Sequence, residues 1–159
     1  MDAKKPWLAH YPPEIPPTSE YPEHNVAKFL LDAAERFPQR PAVEFYGARL
    51  NYAQLREQAF RFACAIRTLG IEKGDRVAIM LPNCPDAVTA YFGTLLAGAV
   101  VVQTNPLYQP HELKHQLGDS GARLIVTLDQ LYPRVAEALP KTRIRHVLQS
   151  FDVTDHSVW

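Results

Sequence analysis

Cysteine is scarce, net charge is absent and no apolar run is long, and each shortage removes a class of protein. Cys64 and Cys84 are the two thiols in 159 residues, and neither belongs to a C-x-x-C pair. Two such thiols make no disulfide framework, so both are expected to be reduced in a cytosolic protein. Lysine plus arginine number 17 and so do aspartate plus glutamate, giving a formal net charge of zero. A neutral chain gains little from counterion release on a polyanion, which argues against nucleic acid as a partner. The short basic runs, Lys4-Lys5 and Arg143-Ile144-Arg145, read as solvated surface. Residues 87–110 carry no charge, but Gly98 and the Gln103-Thr104-Asn105-Pro106 turn interrupt them. What is left is too short for an ordinary membrane span and suits a buried helix followed by a buried strand. The N-terminal residues lack the apolar stretch of a secretory signal. The seven glycines never form G-x-G-x-x-G, no Gly-Lys-Ser/Thr occurs, and G-x-S-x-G is missing. Neither a phosphate cradle nor a nucleophile elbow is therefore expected.

Proline and apolar residues are plentiful. Six of the 14 prolines fall in the first 22 residues. Because proline lacks a donor and fixes φ, residues 1–24 are expected to form an extended, polyproline-like arm on the surface. Trp7, Tyr11, Ile15 and Tyr21 would pin that arm to a body. Hydrophobic residues make up 47% of the chain, and at this length roughly 70% of the unfolded surface can be buried.

From residue 25 helix and strand patterns alternate. Asn25 can cap a helix with Val26, Phe29, Leu30, Ala33 and Phe37 on one face, ended by Pro38. "AVEFYGARLNY" reads as a hairpin turning at Tyr46-Gly47-Ala48. Asn51 and Gln54 form a capping-box pattern before a helix to Leu69, whose stripe is Leu55, Ala59, Phe62, Ala63, Ile66 and Leu69. "RVAIML" is a strand, Pro85-Asp86 opens a helix to about Ala97, and "AVVVQ" is apolar on both faces as a central parallel strand should be. A short helix from Pro110 to near Gly118, the strand "RLIVTL", the helix "DQLYPRVAEAL" and the strand "RIRHVLQ" complete the series. The fold class is therefore α/β: an open, mainly parallel βαβ sheet layer over residues 25–149, with the arm before it. Residues 150–159 read as a truncated tail. Apolar strands such as "AVVV" or "LIV", left at an edge, are expected to promote self-association.

His111-Glu112-Leu113-Lys114-His115 matches H-E-x-x-H, the helix pattern of zinc hydrolases. Pro110 puts His111 in the first helical turn, where the positive end of the helix disfavours a cation. No third ligand stands at a recognisable spacing; Asp119, Glu137 and His146 would be free choices. The simpler reading has Glu112 favouring the N-terminal turn, Leu113 and Leu117 facing the sheet, and His111, Lys114 and His115 facing water. His10, His24, His146 and His156 stand alone and none is nominated as a base.

The order of features resembles the start of acyl-CoA ligases of the adenylate-forming superfamily. The segments that carry the resemblance are Gly74-Asp75-Arg76-Val77, Leu81-Pro82-Asn83, Gly98-Ala99, Asn105-Pro106-Leu107-Tyr108, Glu112-Leu113 and Asp119-Ser120-Gly121. It covers nearly all of residues 4–149, and "KPWLAHYPPEIPPTSEYP" is similar to the bacterial long-chain fatty-acid branch. It implies a fatty-acid substrate, ATP, Mg2+ and coenzyme A for a full-length parent, and a sheet layer of the large N-terminal domain for this chain. The family's phosphate loop, its nucleotide-binding segments and its C-terminal lysine have no counterpart here and are expected beyond Trp159. No catalytic, cofactor-binding or metal-ligating residue is therefore expected in residues 1–159, and this piece by itself is expected to be inactive and to bind no cofactor. Further expectations from the resemblance are a homodimer through the arm and a cytoplasmic location, with the parent peripheral at the inner face of the membrane. A ligase for another carboxylic acid, a stand-alone non-catalytic α/β interaction module and a zinc hydrolase remain the alternatives.

Overall fold

The computed structural model describes residues 5–150. Of the expected tail, Ser150 closes the last strand, and residues 151–159, with His156, lie outside the described residues. Near the N-terminus Pro6–His10 forms one 3-10 turn rather than extended chain, and residues 11–24 are irregular. The arm is not pinned by its large side chains. Trp7, Tyr11, Ile15 and Tyr21 are all exposed, Tyr21 at 83%.

Helix α1 (Ala27–Arg36) starts where the Asn25 side chain accepts the Ala27 N–H at 2.8 Å. Its inner face is Ala27, Leu30 and Ala34, while Val26, Phe29 and Phe37 are exposed, so the expected face is rotated. Phe37 instead lies under the guanidinium groups of Arg36 and Arg40. Strands β1 (Pro41–Phe45) and β2 (Ala48–Asn51) pair antiparallel through a two-residue turn, in which Tyr46 and Gly47 both have positive φ. That is the turn whose twist matches paired strands. Helix α2 (Tyr52–Thr68) opens on the expected capping box: Asn51 accepts the Gln54 N–H at 2.8 Å and Gln54 accepts the Asn51 N–H at 2.9 Å.

Strands β3 (Arg76–Met80), β4 (Val100–Gln103), β5 (Leu124–Leu128) and β6 (His146–Ser150) form one parallel sheet in the order β4-β3-β5-β6. The expected α/β architecture is present. Two placements differ from the sequence reading. β4 sits at an edge, with Val100 46% exposed, whereas "LIV" of β5 is interior and buried. The strand expected from Arg143 begins only at His146.

Helix α3 (Pro85–Leu96) links β3 to β4, α4 (Pro110–Ser120) links β4 to β5, and α5 (Tyr132–Ala138) links β5 to β6. α4 does not stop at Gly118. Gly121, at φ 64°, is the left-handed C-cap, its N–H donating to Leu117 O. Alternation along the strands fills two faces. Val77, Ile79, Leu124 and Val126 pack with α2 and α3, while Ala78, Met80 and Ile125 pack with Leu113 and Leu117 of α4 and Val135 of α5.

Candidate functional site

An open parallel sheet offers ligands its carboxyl ends, at the point where the strand order reverses. Here β3 leads to β4 on one side, and β4 crosses back to β5 on the other, so the reversal lies between β3 and β5. After β3 the chain runs Leu81-Pro82-Asn83-Cys84 into α3. Cys84 is extended, Pro85 occupies the first helical turn, and Asp86 supplies an acid where the helix end favours one. Beside this turn is an open groove of about 460 Å³, walled by Val43, Phe45, Val88, Tyr91 and Phe92. Its polar lining is Glu44, Asn83 and Gln103, and no lysine or arginine lines it.

Burial disfavours the charged forms of both ionisable groups at the start of α3. Burial pushes the Cys84 thiol up, opposed by the Ala87 N–H, and the charge of Asp86 adds to the rise. A protonated thiol is a poor nucleophile and a poor metal ligand. Burial also raises the Asp86 carboxyl, with the Ser150 hydroxyl, which donates to Asp86 Oδ2, pulling the other way. This Asp86–Ser150 link joins the start of α3 to the end of β6 across 64 residues of sequence, and no local pattern announces it.

A triphosphate does not fit this groove. Its lining has no cation to neutralise phosphate oxygens, and its one charged residue, Glu44, is an acid already paired with Arg49 at 3.0 Å. No step through ATP can therefore be assigned to these residues. Among the described residues, no group of three or more His, Cys, Asp or Glu is placed to hold a metal ion.

Within H-E-x-x-H the glutamate has a structural partner. Glu112 Oε2 accepts the Gln109 N–H at 2.9 Å, closing the first turn of α4. Leu113 and Leu117 are fully buried, while His111, Lys114 and His115 are exposed. The glutamate that would activate a metal-bound water is thus holding a helix end.

Known proteins share the fold. The family described as AMP-binding enzyme matches residues 30–158. The chain is 47% identical, over 134 residues, to a long-chain-fatty-acid–CoA ligase of Bacillus subtilis (strain 168), covering 84% of this chain and 24% of that protein. Among solved structures, a long-chain-fatty-acid–CoA ligase from Archaeoglobus fulgidus superposes with a TM-score of 0.76 at 28% identity, covering 84% of this chain and 29% of that one. A benzoate CoA ligase from Burkholderia xenovorans LB400 gives a TM-score of 0.74 at 28% identity, covering 80% and 26%. The chain spans about a quarter of the length of these proteins.

Proposed function

This chain belongs to the AMP-binding enzyme family, and from that membership we propose that it supplies the first part of an ATP-dependent long-chain fatty-acid–CoA ligase. The observation that carries the reading is the 47% identity to the Bacillus subtilis ligase. In the proposed overall reaction a fatty carboxylate displaces pyrophosphate from ATP, giving an acyl-adenylate. The sulfur of coenzyme A then displaces AMP and forms the thioester. Mg2+ would neutralise the phosphate charge.

The part assigned to residues 5–150 is scaffold. They hold the β3–α3 turn and an apolar wall in register through the sheet, and the charged machinery for nucleotide belongs elsewhere in the full-length protein. The cation-free groove and the bound state of Glu112 and Asp86 support this division. The 159-residue chain alone is therefore expected to show no fatty-acid-dependent exchange of pyrophosphate into ATP. Exchange above the no-enzyme background, dependent on added fatty acid, would refute the assignment of the catalytic groups to other segments.

A second reading, an aromatic carboxylate as substrate, draws on the likeness to the benzoate ligase. It ranks lower because 28% identity is weaker support than 47%. We also propose that the arm, with Trp7, Tyr11, Ile15 and Tyr21 exposed, joins two copies of the full-length protein. A cytoplasmic location, with peripheral contact at the inner membrane face, belongs to the same proposal. No helix among the described residues is long and apolar enough to cross a membrane.

A further inference from the structure

The amino-terminal edge of the sheet carries a charge arrangement that the ligase reading does not use. Val77 is in register with Leu124, and Leu124 with His146. One residue before each of these aligned positions stands an arginine: Arg76 at the start of β3, and Arg123 and Arg145 immediately before β5 and β6. The Arg123 N–H donates to Arg76 O at 2.9 Å, and the Arg145 N–H donates to Arg123 O at 2.7 Å. Strands about 4.8 Å apart therefore bring the three arginine backbones into a row about 10 Å long. Arg143 flanks this row, its side chain lying over Gly121 at the end of α4. Arg123, Arg143 and Arg145, with Thr142 and Ile144, line an open concavity of about 490 Å³.

Like charges placed opposite one another on neighbouring strands oppose pairing. The compensation present is partial. Arg123 Nη1 donates to Asp75 Oδ2 at 2.9 Å. The other ion pairs among the described residues engage Lys28, Arg49 and Arg61, leaving Arg76, Arg143 and Arg145 without a carboxylate. The carbonyl end of α4 at Gly121 adds about half a negative charge, well short of three guanidinium groups. Planar guanidinium forks match phosphate oxygens in pairs.

We propose that the concavity lined by Arg123, Arg143 and Arg145, with Arg76 next along the edge, is a binding site for a phosphate-bearing anion, at the opposite edge of the sheet from the apolar groove. The shared chemistry is the phosphate oxyanion, which a soluble phosphate compound or a lipid headgroup can supply. The proposal goes beyond the ligase reading and does not rest on it, because its readout is binding and not exchange.

The test titrates the 159-residue chain with inorganic pyrophosphate by calorimetry. In parallel, the chain is sedimented with phosphatidylcholine vesicles with and without phosphatidylglycerol. The double variant Arg143→Ser/Arg145→Ser changes two exposed side chains, and its fold is checked by circular dichroism. The control Arg61→Ser/Lys114→Ser removes the same charge at exposed positions on α2 and α4. Loss of a charge-assisted contact weakens binding on the order of tenfold, so the arginine variant should bind at least about tenfold more weakly while the control matches wild type. Saturable binding of pyrophosphate identifies a soluble source. Sedimentation that requires phosphatidylglycerol identifies a headgroup. Binding of neither probe, or equal loss in both double variants, overturns the site.

Discussion

The two faces of the sheet are covered by different means. On one, α2 and α3 come so close that a helix position has no room for a side chain. A Cβ at Gly93 would lie 2.7 Å from Phe62 Cδ1 and 2.8 Å from the carbonyl oxygen of Ala59. On the other, α4 and α5 are shorter and reach the sheet through bulk: Leu113, Leu117 and Val135 are each fully buried. The first face depends on the absence of a side chain, the second on the volume of a few. Close approach of two backbones has no soft neighbour to yield, whereas a layer built on side chains can partly relax around a loss.

The contrast predicts unequal damage. Gly93→Leu drives a branched side chain into the Ala59 backbone and the Phe62 ring, and it should cost more than about 3 kcal/mol, enough to abolish a cooperative urea transition. A transition near that of wild type would show that α2 and α3 can separate, and the contrast would be lost. Leu117→Ala removes a buried side chain from the opposite face and should cost about 2–5 kcal/mol. Hydrogen exchange should then accelerate first in α4 and α5, while the Asn51-capped start of α2 keeps its protection. Equal acceleration on both faces would mean that the two layers unfold as one unit.

Most of the local structure was legible because local chemistry wrote it. The Asn51–Gln54 box, Pro85 at the start of α3 and Gly47 in the hairpin turn all lie where their residue types put them. The misreadings share a different cause. Gly118 looks like a helix stop, but it stands on an exposed face of α4 where a Cβ would meet nothing. The helix carries it at a cost of about 1 kcal/mol and stops at Gly121, where φ is positive. "AVVVQ" has the composition of an interior strand but occupies an edge, because strand order is not encoded in any one strand. Phe29 and the arm aromatics look like core but are exposed, since periodicity reports that a face exists and not what covers it. The arginine row was least legible of all. Arg76, Arg123 and Arg145 are far apart in sequence and become neighbours through the register of β3, β5 and β6 alone. At the carboxyl edge the expectation of no catalytic group rested on missing motifs, and an Asp86–Ser150 link lies outside any motif.

That link also gives the gentlest way to probe the α3 face. Burial raises the Asp86 carboxyl above its ordinary 3.8, and the Ser150 hydroxyl offsets part of the rise. A carboxyl raised on folding binds more protons folded than unfolded between the two values, so stability falls as pH climbs through that window. The group favours the folded state below 3.8 and opposes it once the folded carboxyl has ionised. Asp86→Asn removes the titration and retains an acceptor for the Ser150 hydroxyl. The difference in stability between wild type and variant should therefore drift against wild type as pH rises above 3.8, then level off once the folded carboxyl has ionised. Urea unfolding of both proteins across that range measures the drift directly. A drift of the opposite sign would mean that the α3 end and the Ser150 hydroxyl together stabilise the carboxylate more than burial penalises it. The carboxyl edge would then hold a ready negative charge, and Asp86 would have to be counted among the groups that shape what the groove accepts.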